Sequence, residues 1–308
     1  EPQIEITIHL MESFESNNTW RYEIGIKQES RGFRTPYLTY ERVYKNDRIL
    51  ANRPNNEDKK DIPQLTQTHL EQINANQKFR IISDYFTSIC YMHIVPQLLR
   101  HPDTVLPDYS GEDPFGKSFL EKVAQTPEKT RRARLRKIEE ALRIAVPQLK
   151  QLSDSKDLRG IPHLKAVYEH WRPKAGKQTE EDFSDGTLRL IGLLWSLLDG
   201  DSLLLLEEPE LSLHTEIVRR LPSLIWRVQN KKRRQIILST HSYELLQNDQ
   251  IGGEETLILK PSPEGTCVSV LSNIKEAKLL LEGGLTVADA ALPRTKPQNI
   301  NQLDLFNE

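Results

Sequence analysis

Two adjacent carboxylates, Glu207 and Glu208, close a run of four aliphatic residues, Leu203 to Leu206, and are followed by Pro209 and Glu210. Four large aliphatics without alternation predict a strand buried on both faces, as in a parallel sheet flanked by helices. Ligands of open α/β sheets gather where strands end, so the two acids stand where a magnesium-bound nucleotide would be met. The pair suits phosphoryl transfer: one carboxylate holds the metal, directly or through water, while the next orients and polarises the attacking water. Glu207 fits the first task and Glu208 the second. Taken alone, the same residues equally describe a buried strand that ends in a solvated acidic turn.

The flanking sequence adds weight to the chemical reading. Upstream, Phe183-Ser184-Asp185-Gly186-Thr187-Leu188-Arg189 precedes an apolar helix over 190–198, with Ser184 placed as its N-cap. A hydroxyl and a glycine at a helix start let backbone N–H groups and the positive end of the helix approach a phosphate. Downstream, Gln235 to Leu238 predicts a second buried strand that runs into Ser239-Thr240-His241-Ser242. A histidine at such a strand end can hydrogen-bond a γ-phosphate and sense its loss; a lone histidine is more often structural, but this one follows the acidic strand by one helix-plus-strand unit.

The series SDGTLR, LLLLEEPELSLH and LSTHS resembles the signature, the Walker B with D-loop, and the H-loop of ABC-type ATPases, in that order over Phe183 to Ser242. The EEPE-x-x-LH form is similar to the RecF-like and OLD (overcoming lysogenization defect) branch, related to the SMC heads. The resemblance implies an α/β fold: a P-loop NTPase-like ABC ATPase head with a mainly parallel sheet, an N-terminal antiparallel meander and a helical insertion. It further implies that ATP and Mg2+ are bound, and that two heads close head-to-tail around ATP. Glu207 would then serve the metal, Glu208 would be the catalytic glutamate, and His241 would be the H-loop switch. Ser184 and Gly186, with Asp185 and Arg189 of the same motif, would face the γ-phosphate of the opposing head, and Ser212 to His214 would form the D-loop. Two departures stand out: Glu207 replaces the usual aspartate, and Asp185 replaces the glycine that precedes the signature's own. The resemblance points to an ATPase in DNA repair or anti-phage defence, working with DNA or a separate nuclease subunit; the alternative is a nucleotide-gated scaffold that recruits an effector without useful turnover.

That family also requires a phosphate-cradling loop. Gly111-Glu112-Asp113-Pro114-Phe115-Gly116-Lys117-Ser118 matches GxxxxGKS/T letter for letter, yet a working loop caps an apolar strand. The residues before Gly111 include Pro102 and Pro107 and no apolar run. The match therefore reads as a decoy, and the true loop is expected upstream of Glu1, whose identity hints that the chain continues before it.

These motifs need a scaffold, and the remaining sequence outlines one. The 308 residues carry 28% charged and 37% hydrophobic residues with a formal net charge of -2, which describes an ordinary globular chain. With neither a membrane-length apolar run nor a signal-like leader, a cytoplasmic protein is expected. Cys90 and Cys267 lack metal or disulfide spacing and read as small core residues. Residues 1–50 alternate with period two at Ile4, Ile6, Ile8 and Leu10, then at Trp20, Tyr22, Ile24 and Ile26, with a third strand over 37–44, and predict an antiparallel subdomain. Residues 51–150 predict the helical insertion, helical from about 65 to 146. It includes Phe79 to Leu99 and a helix over 128–145 with Thr126 as N-cap and Pro127 in its first turn. Residues 151–291 hold the motif-bearing core, with strands near 256–260 and 266–271.

Arg131, Arg132, Arg134 and Arg136 crowd the helix over 128–145. They read either as a DNA-facing surface or as a solvated face paired with Glu139 and Glu140. A second basic run spans Lys231 to Arg234. The polar tail, 292–308, ends in Gln302-Leu303-Asp304-Leu305-Phe306. It is similar to the pentapeptide that grips the bacterial sliding clamp. Gln302, Leu303, Leu305 and Phe306 either dock on such a partner or fold back onto this protein.

Overall fold

In the computed structural model, residues 3–13, 15–30, 32–100, 113–171, 176–263, 265–297 and 300 are described. The chain divides into two compact units, Glu1–Ser88 and Ile89–Glu308. This division does not coincide with the expected boundaries near residues 50 and 150.

The first unit is an antiparallel meander of β1 (Ile4–Met11), β2 (Thr19–Gln28), β3 (Pro36–Lys45) and β4 (Arg48–Arg53), joined in that order. The alternation of Trp20, Tyr22 and Ile24 buries one face of β2 with Leu38 and Val43 of β3. Phe79 and Ile82 pack on the same cluster, Ile82 from α1 (Arg80–Ser88). The fourth strand, not anticipated, follows Asn46 and Asp47, which both take positive φ (47° and 62°), the backbone of a tight two-residue hairpin. Below the sheet, the buried Arg53 guanidinium meets Glu41 at 3.1 Å and Asp58 at 2.6 Å and donates to the Gln64 and Gln67 carbonyls. Such a network is costly to break once buried, because removing one partner leaves an uncompensated charge. The helical pattern expected from residue 65 is realised only from Arg80; residues 67–79 are turns.

The second unit is built around β5 (Cys90–Met92), β9 (Leu204–Glu207) and β10 (Ile236–Ser239), a three-stranded parallel sheet in the order β10-β9-β5. The remaining sheets are antiparallel: β6 (Leu149–Lys156), β7 (Pro162–Tyr168) and β8 (Lys177–Thr179) form one, and β11 (Leu257–Ser262) pairs with β12 (Gly265–Val270) in another. The structure is thus mixed α/β, and the parallel part is confined to three strands. β5 lies inside the segment read as helical, where a short apolar run between two helices carries no distinguishing period. Its helices are α2 (Pro96–Arg100), α3 (Phe119–Gln125), α4 (Glu128–Ala145), α5 (Asp185–Leu198), α6 (Thr215–Val218), α7 (Leu221–Lys232), α8 (Tyr243–Leu246), α9 (Lys275–Glu282) and α10 (Val287–Thr295). None of the described helices is long and apolar enough to cross a membrane.

α5 is apolar nearly all round and sits at the centre of the core, with Leu188, Ile191 and Trp195 in one cluster with Leu204, Leu206 and Met92 of the sheet. Ser184 caps its start by accepting the Thr187 N–H at 3.2 Å. Its end is capped by the second basic run. Lys232 Nζ donates to the Leu198 and Gly200 carbonyls, both at 2.7 Å, and Arg234 donates to those of Ser196 (2.7 Å) and Asp199 (2.8 Å). These cations satisfy carbonyls that every helix C-terminus leaves open.

The opposite face of the parallel sheet is partly exposed among the described residues. Tyr91, Leu205 and Ile237 lie in one register row, and Tyr91 (40%) and Ile237 (50%) are exposed. The expectation that both strands are buried on both faces is therefore corrected: Leu204 and Leu206 are buried, but Leu205 is only partly so, and β10 alternates between half-buried and exposed. The expected core role of Cys267 is also corrected, because its side chain is exposed on β12 while Cys90 is half-buried. The helix over 128–145 forms as expected, with Pro127 rather than Thr126 as its N-cap.

Candidate functional site

Glu207 is the last residue of β9, and register places it beside Ser239 at the end of β10. The strand end is followed at once by a sharp bend: Glu208 (φ 42°) and Ser212 (φ 62°) both occupy the left-handed region without being glycine. Such backbone costs about 1–3 kcal/mol per residue and persists where surrounding structure over-determines it, often at functional sites. The bend is pinned by Glu208 N–H donating to the Ser239 carbonyl (3.1 Å), Leu211 N–H to Glu208 O (3.2 Å) and Leu213 N–H to Glu210 O (3.0 Å). It turns the Glu208 side chain toward the end of β10, where His241 Nε2 lies 3.7 Å from Glu208 Oε1. His241 is itself largely exposed, free to meet a ligand arriving over the strand ends.

The Glu207 carboxylate accepts a hydrogen bond from the Tyr91 hydroxyl, and His93 Nδ1 lies 3.3 Å from its backbone carbonyl. That hydrogen bond raises the Tyr91 hydroxyl above its ordinary pKa. Among the described residues no group of three or more His, Cys, Asp or Glu is placed to hold a metal. One exposed carboxylate at a strand end still fits Mg2+, which keeps several waters and takes one or two carboxylates together with substrate phosphates.

The start of α5 meets the D-loop candidate closely. A Cβ at Gly186 would come within 2.5 Å of the Ser212 carbonyl oxygen, so only glycine permits this approach. His214 caps α6, its Nδ1 accepting the Glu216 N–H at 3.2 Å. Asp185 is paired with Arg100, 2.7 Å away, and accepts a hydrogen bond from the Gln97 amide at 3.2 Å. Arg100 also donates to the Phe183 carbonyl. The approach to α5 is fixed by Glu180, which is buried and bound to His163 Nδ1 (2.6 Å) and the Leu164 N–H (2.8 Å). Arg189, unlike Ser184, lines a cavity just large enough for a water, together with Met92, Ile94, Leu193, Leu206, Glu207 and Pro209. Its Nε is buried without an acceptor among the described residues, and burial lowers the guanidinium's pKa.

Two groupings thus emerge within this unit. Glu207, Glu208 and His241 share the strand ends, with Arg189 behind them, while Ser184, Asp185 and Gly186 lie against Ser212. No hydrogen bond or ion pair links Ser184, Asp185 or Gly186 to Glu208 or His241 among the described residues. Tyr91, His93, Arg100, Glu210 and Thr240 escaped the sequence reading. Tyr91 comes from β5, Arg100 from α2 and His93 from the link between them, all inside the apparent insertion. Glu210 is visible in the EEPE string, yet only the fold shows it buried against Thr240.

The GKS match is a capped turn. Asp113 accepts the Lys117 N–H (2.7 Å), the Ser118 N–H (2.8 Å) and the Ser118 hydroxyl (2.6 Å). A carboxylate of the chain itself therefore takes the N–H groups that a phosphate loop would offer to its ligand. Burial raises the Asp113 carboxyl, but the bonds from Ser118 and the charge of Lys122 outweigh it and hold the group below its ordinary pKa.

On α4 the four arginines divide. Arg131 is bound to Asp154 at 2.9 Å and to the Ala124 and Thr126 carbonyls. Arg134 is bound to Asp199 at 2.7 Å and lies over the Trp195 ring. Arg132 and Arg136 stand exposed, paired one turn apart with Glu128 (2.5 Å) and Glu140 (3.8 Å). The tail residues Gln302, Leu303, Leu305 and Phe306 lie outside the described residues.

A family model described as "AAA domain, putative AbiEii toxin, Type IV TA system" matches residues 1–247. No curated protein matches the sequence. Among solved structures, an SMC ATPase described for ATP-driven dimerization and DNA-stimulated activation superposes with a TM-score of 0.37 at 18% identity. The match covers 53% of this chain and 94% of that one. An SMC head bound to the C-winged helix domain of ScpA gives 0.41 at 14% identity, over 85% of this chain and 76% of that one. An ATP-binding cassette of an ABC transporter in its ADP conformation gives 0.33 at 13% identity, over 68% and 63%.

Proposed function

Because the chain belongs to the AAA-domain family that its sequence matches over residues 1–247, we propose that it is an ABC-type head that hydrolyses Mg-ATP and closes head-to-tail on a second copy. The observation that carries this reading is the strained bend after β9, which sets Glu208 against His241 at the ends of two parallel strands. In that role Glu207 would hold a magnesium ion, which would supply positive charge to the phosphates, and Glu208 would accept a hydrogen bond from the attacking water and orient it. His241, largely exposed, would meet the γ-phosphate. Arg189, with an unused buried N–H beside Glu207, belongs to this head's own site rather than to the surface offered to a second head.

Ser184 and Gly186 make that second surface: the start of a long helix, backed by the D-loop at Ser212. Arg100 offsets the charge of Asp185 and Gln97 donates to it, so the acid that replaces a glycine repels a phosphate less. The exposure of Tyr91 and Ile237 on either side of half-buried Leu205 supports a phosphate loop supplied by another part of the protein. Parallel sheets are covered on both faces, and a helix following such a loop would cover this one. The exposed stripe of Lys129, Arg132, Arg136 and Lys137 on α4 is the DNA-facing surface in this reading, while Arg131 and Arg134 hold α4 in place. A role in DNA maintenance or anti-phage defence, with a nuclease or DNA partner, follows from the same reading.

The test is Glu208→Gln in the protein's full natural form. Turnover should fall by about 10²-fold to 10⁴-fold, the usual worth of a positioned acid–base group, with ATP affinity retained. Wild-type turnover in this variant would remove Glu208 from the chemistry.

A further inference from the structure

A cleft of about 300 Å³ lies in the first unit, at the lower end of the about 300–1,000 Å³ that ligand sites occupy. One wall is four consecutive residues of β4: Leu50, Ala51, Asn52 and Arg53. Successive side chains of a strand point to opposite faces, so a cleft that touches all four lies along the strand's edge and not over one face of the sheet. β4 is the terminal strand and pairs with β3 alone. No other hydrogen bond reaches the main chain of Leu50 to Arg53 among the described residues. The outward N–H and C=O groups of such an edge are a template on which another strand can pair.

The facing wall comes from the turns before α1, with His69, Asn74, Gln77 and Lys78, and it is fixed from behind. The His69 N–H donates to both Glu41 carboxylate oxygens, at 3.0 and 2.8 Å. Asn76, which is buried, donates to the Leu70 carbonyl at 3.0 Å and accepts from Arg80 at 3.1 Å. The cleft is therefore preformed, which lowers the ordering cost of binding. Its chemistry is polar and cationic. The Asn74 and Gln77 amides have no partner among the described residues, and each can donate to and accept from a peptide group. Among the described residues no carboxylate lines the cleft. Of its basic residues, Arg53 is bound to Glu41 and Asp58, and burial and the Arg53 charge hold the His69 imidazole below its ordinary pKa. Lys78 is exposed and makes no ion pair among the described residues, so its charge is available to a ligand. We infer that this cleft docks an extended peptide of a partner protein, which adds as a strand to the edge of β4 and sets an acidic side chain on Lys78. Main-chain bonds to β4 supply the affinity, while Lys78 and the flanking amides select among sequences, as in other strand additions. The inference is independent of the ATPase reading, because none of the lining residues is assigned to the nucleotide.

The experiment selects binders from a library of random linear peptides displayed to the protein in its full natural form, and titrates the best of them as a synthetic peptide by fluorescence anisotropy. The selected peptides should be rich in Asp or Glu and poor in Pro, with micromolar affinity. Amide hydrogen exchange at Leu50 to Arg53 should slow when the peptide is bound. N-methylation of the peptide should abolish binding at alternate residues and be tolerated at those between, because only every second N–H of an added strand faces its neighbour. Lys78→Glu should weaken binding about tenfold or more, while Lys78→Arg keeps it within a few-fold; both change an exposed side chain, and equal melting temperatures confirm that the fold survives. The inference is overturned if no peptide is selected, if binding ignores Lys78→Glu, if N-methylation acts alike at every residue, or if exchange at Leu50 to Arg53 is unchanged. Protection of those amides that rises with protein concentration in the absence of peptide would give the edge to a second copy of the chain, and a response there to ATP but to no peptide would make the cleft a small-molecule site; either result overturns it.

Discussion

Glu208 and Gly186 show in opposite ways what backbone conformation does at this site. Glu208 adopts a left-handed conformation without glycine's freedom, and Gly186 is a glycine because a carbonyl occupies the space of a side chain. Gly186→Ala should therefore displace the Ser212 bend. The expected destabilisation is about 1–3 kcal/mol, as for other overpacked sites, read as a lower melting temperature. The placement of Glu207, Glu208 and His241 could be read from the sequence: all three stand at the ends of aliphatic runs, and that pattern locates strand ends. That of Tyr91, Glu210 and Thr240 could not, because their roles depend on which strands lie side by side and on burial, neither of which spacing encodes.

α5 and its surroundings show what could be read of the elements. Its N-cap at Ser184 and its apolar length were plain in the sequence, and so was α4 to within a residue. The sequence shows Lys231 to Arg234 only as a second basic run, whereas in the fold Lys232 and Arg234 close the end of α5. Arg234→Met should orphan the carbonyls of Ser196 and Asp199, lowering stability by roughly 2–4 kcal/mol at the usual cost of buried unsatisfied acceptors; chemical denaturation measures it. β5 was missed because three residues carry no period. The sequence reads the GKS turn as a decoy because no apolar strand precedes it, and the Asp113 carboxylate that takes the Lys117 and Ser118 N–H groups supports that reading. Lys117→Ala should accordingly leave ATP affinity unchanged in a direct binding titration, and a large loss would restore that turn as a phosphate loop.

The chain as a whole consists of two compact units, each with a carboxylate whose native bonds depend on ionisation. In the first, burial raises the Asp58 carboxyl, but the hydrogen bonds and charge of Arg53 outweigh it and leave the net value below normal. In the second, Asp113 is likewise lowered. A carboxyl depressed in the folded state stabilises fully above its unfolded value, about 3.9, and loses that contribution as pH falls through the native value. Stability should therefore drop on acidification below about pH 4. Asp58→Asn should be less stable at neutral pH and show a smaller further loss in acid, measured as urea midpoints across the same pH range.

ATP-dependent pairing of two heads tests the account most directly, because it requires the strand-end site and the Ser184 surface at once. In the protein's full natural form, Glu208→Gln should trap ATP, and light scattering with Mg-ATP should give the mass of a dimer that is absent without nucleotide. Adding Ser184→Arg should return the mass to that of a monomer while nucleotide binding persists. A monomer under both conditions, or a dimer indifferent to ATP and to Ser184→Arg, would contradict it.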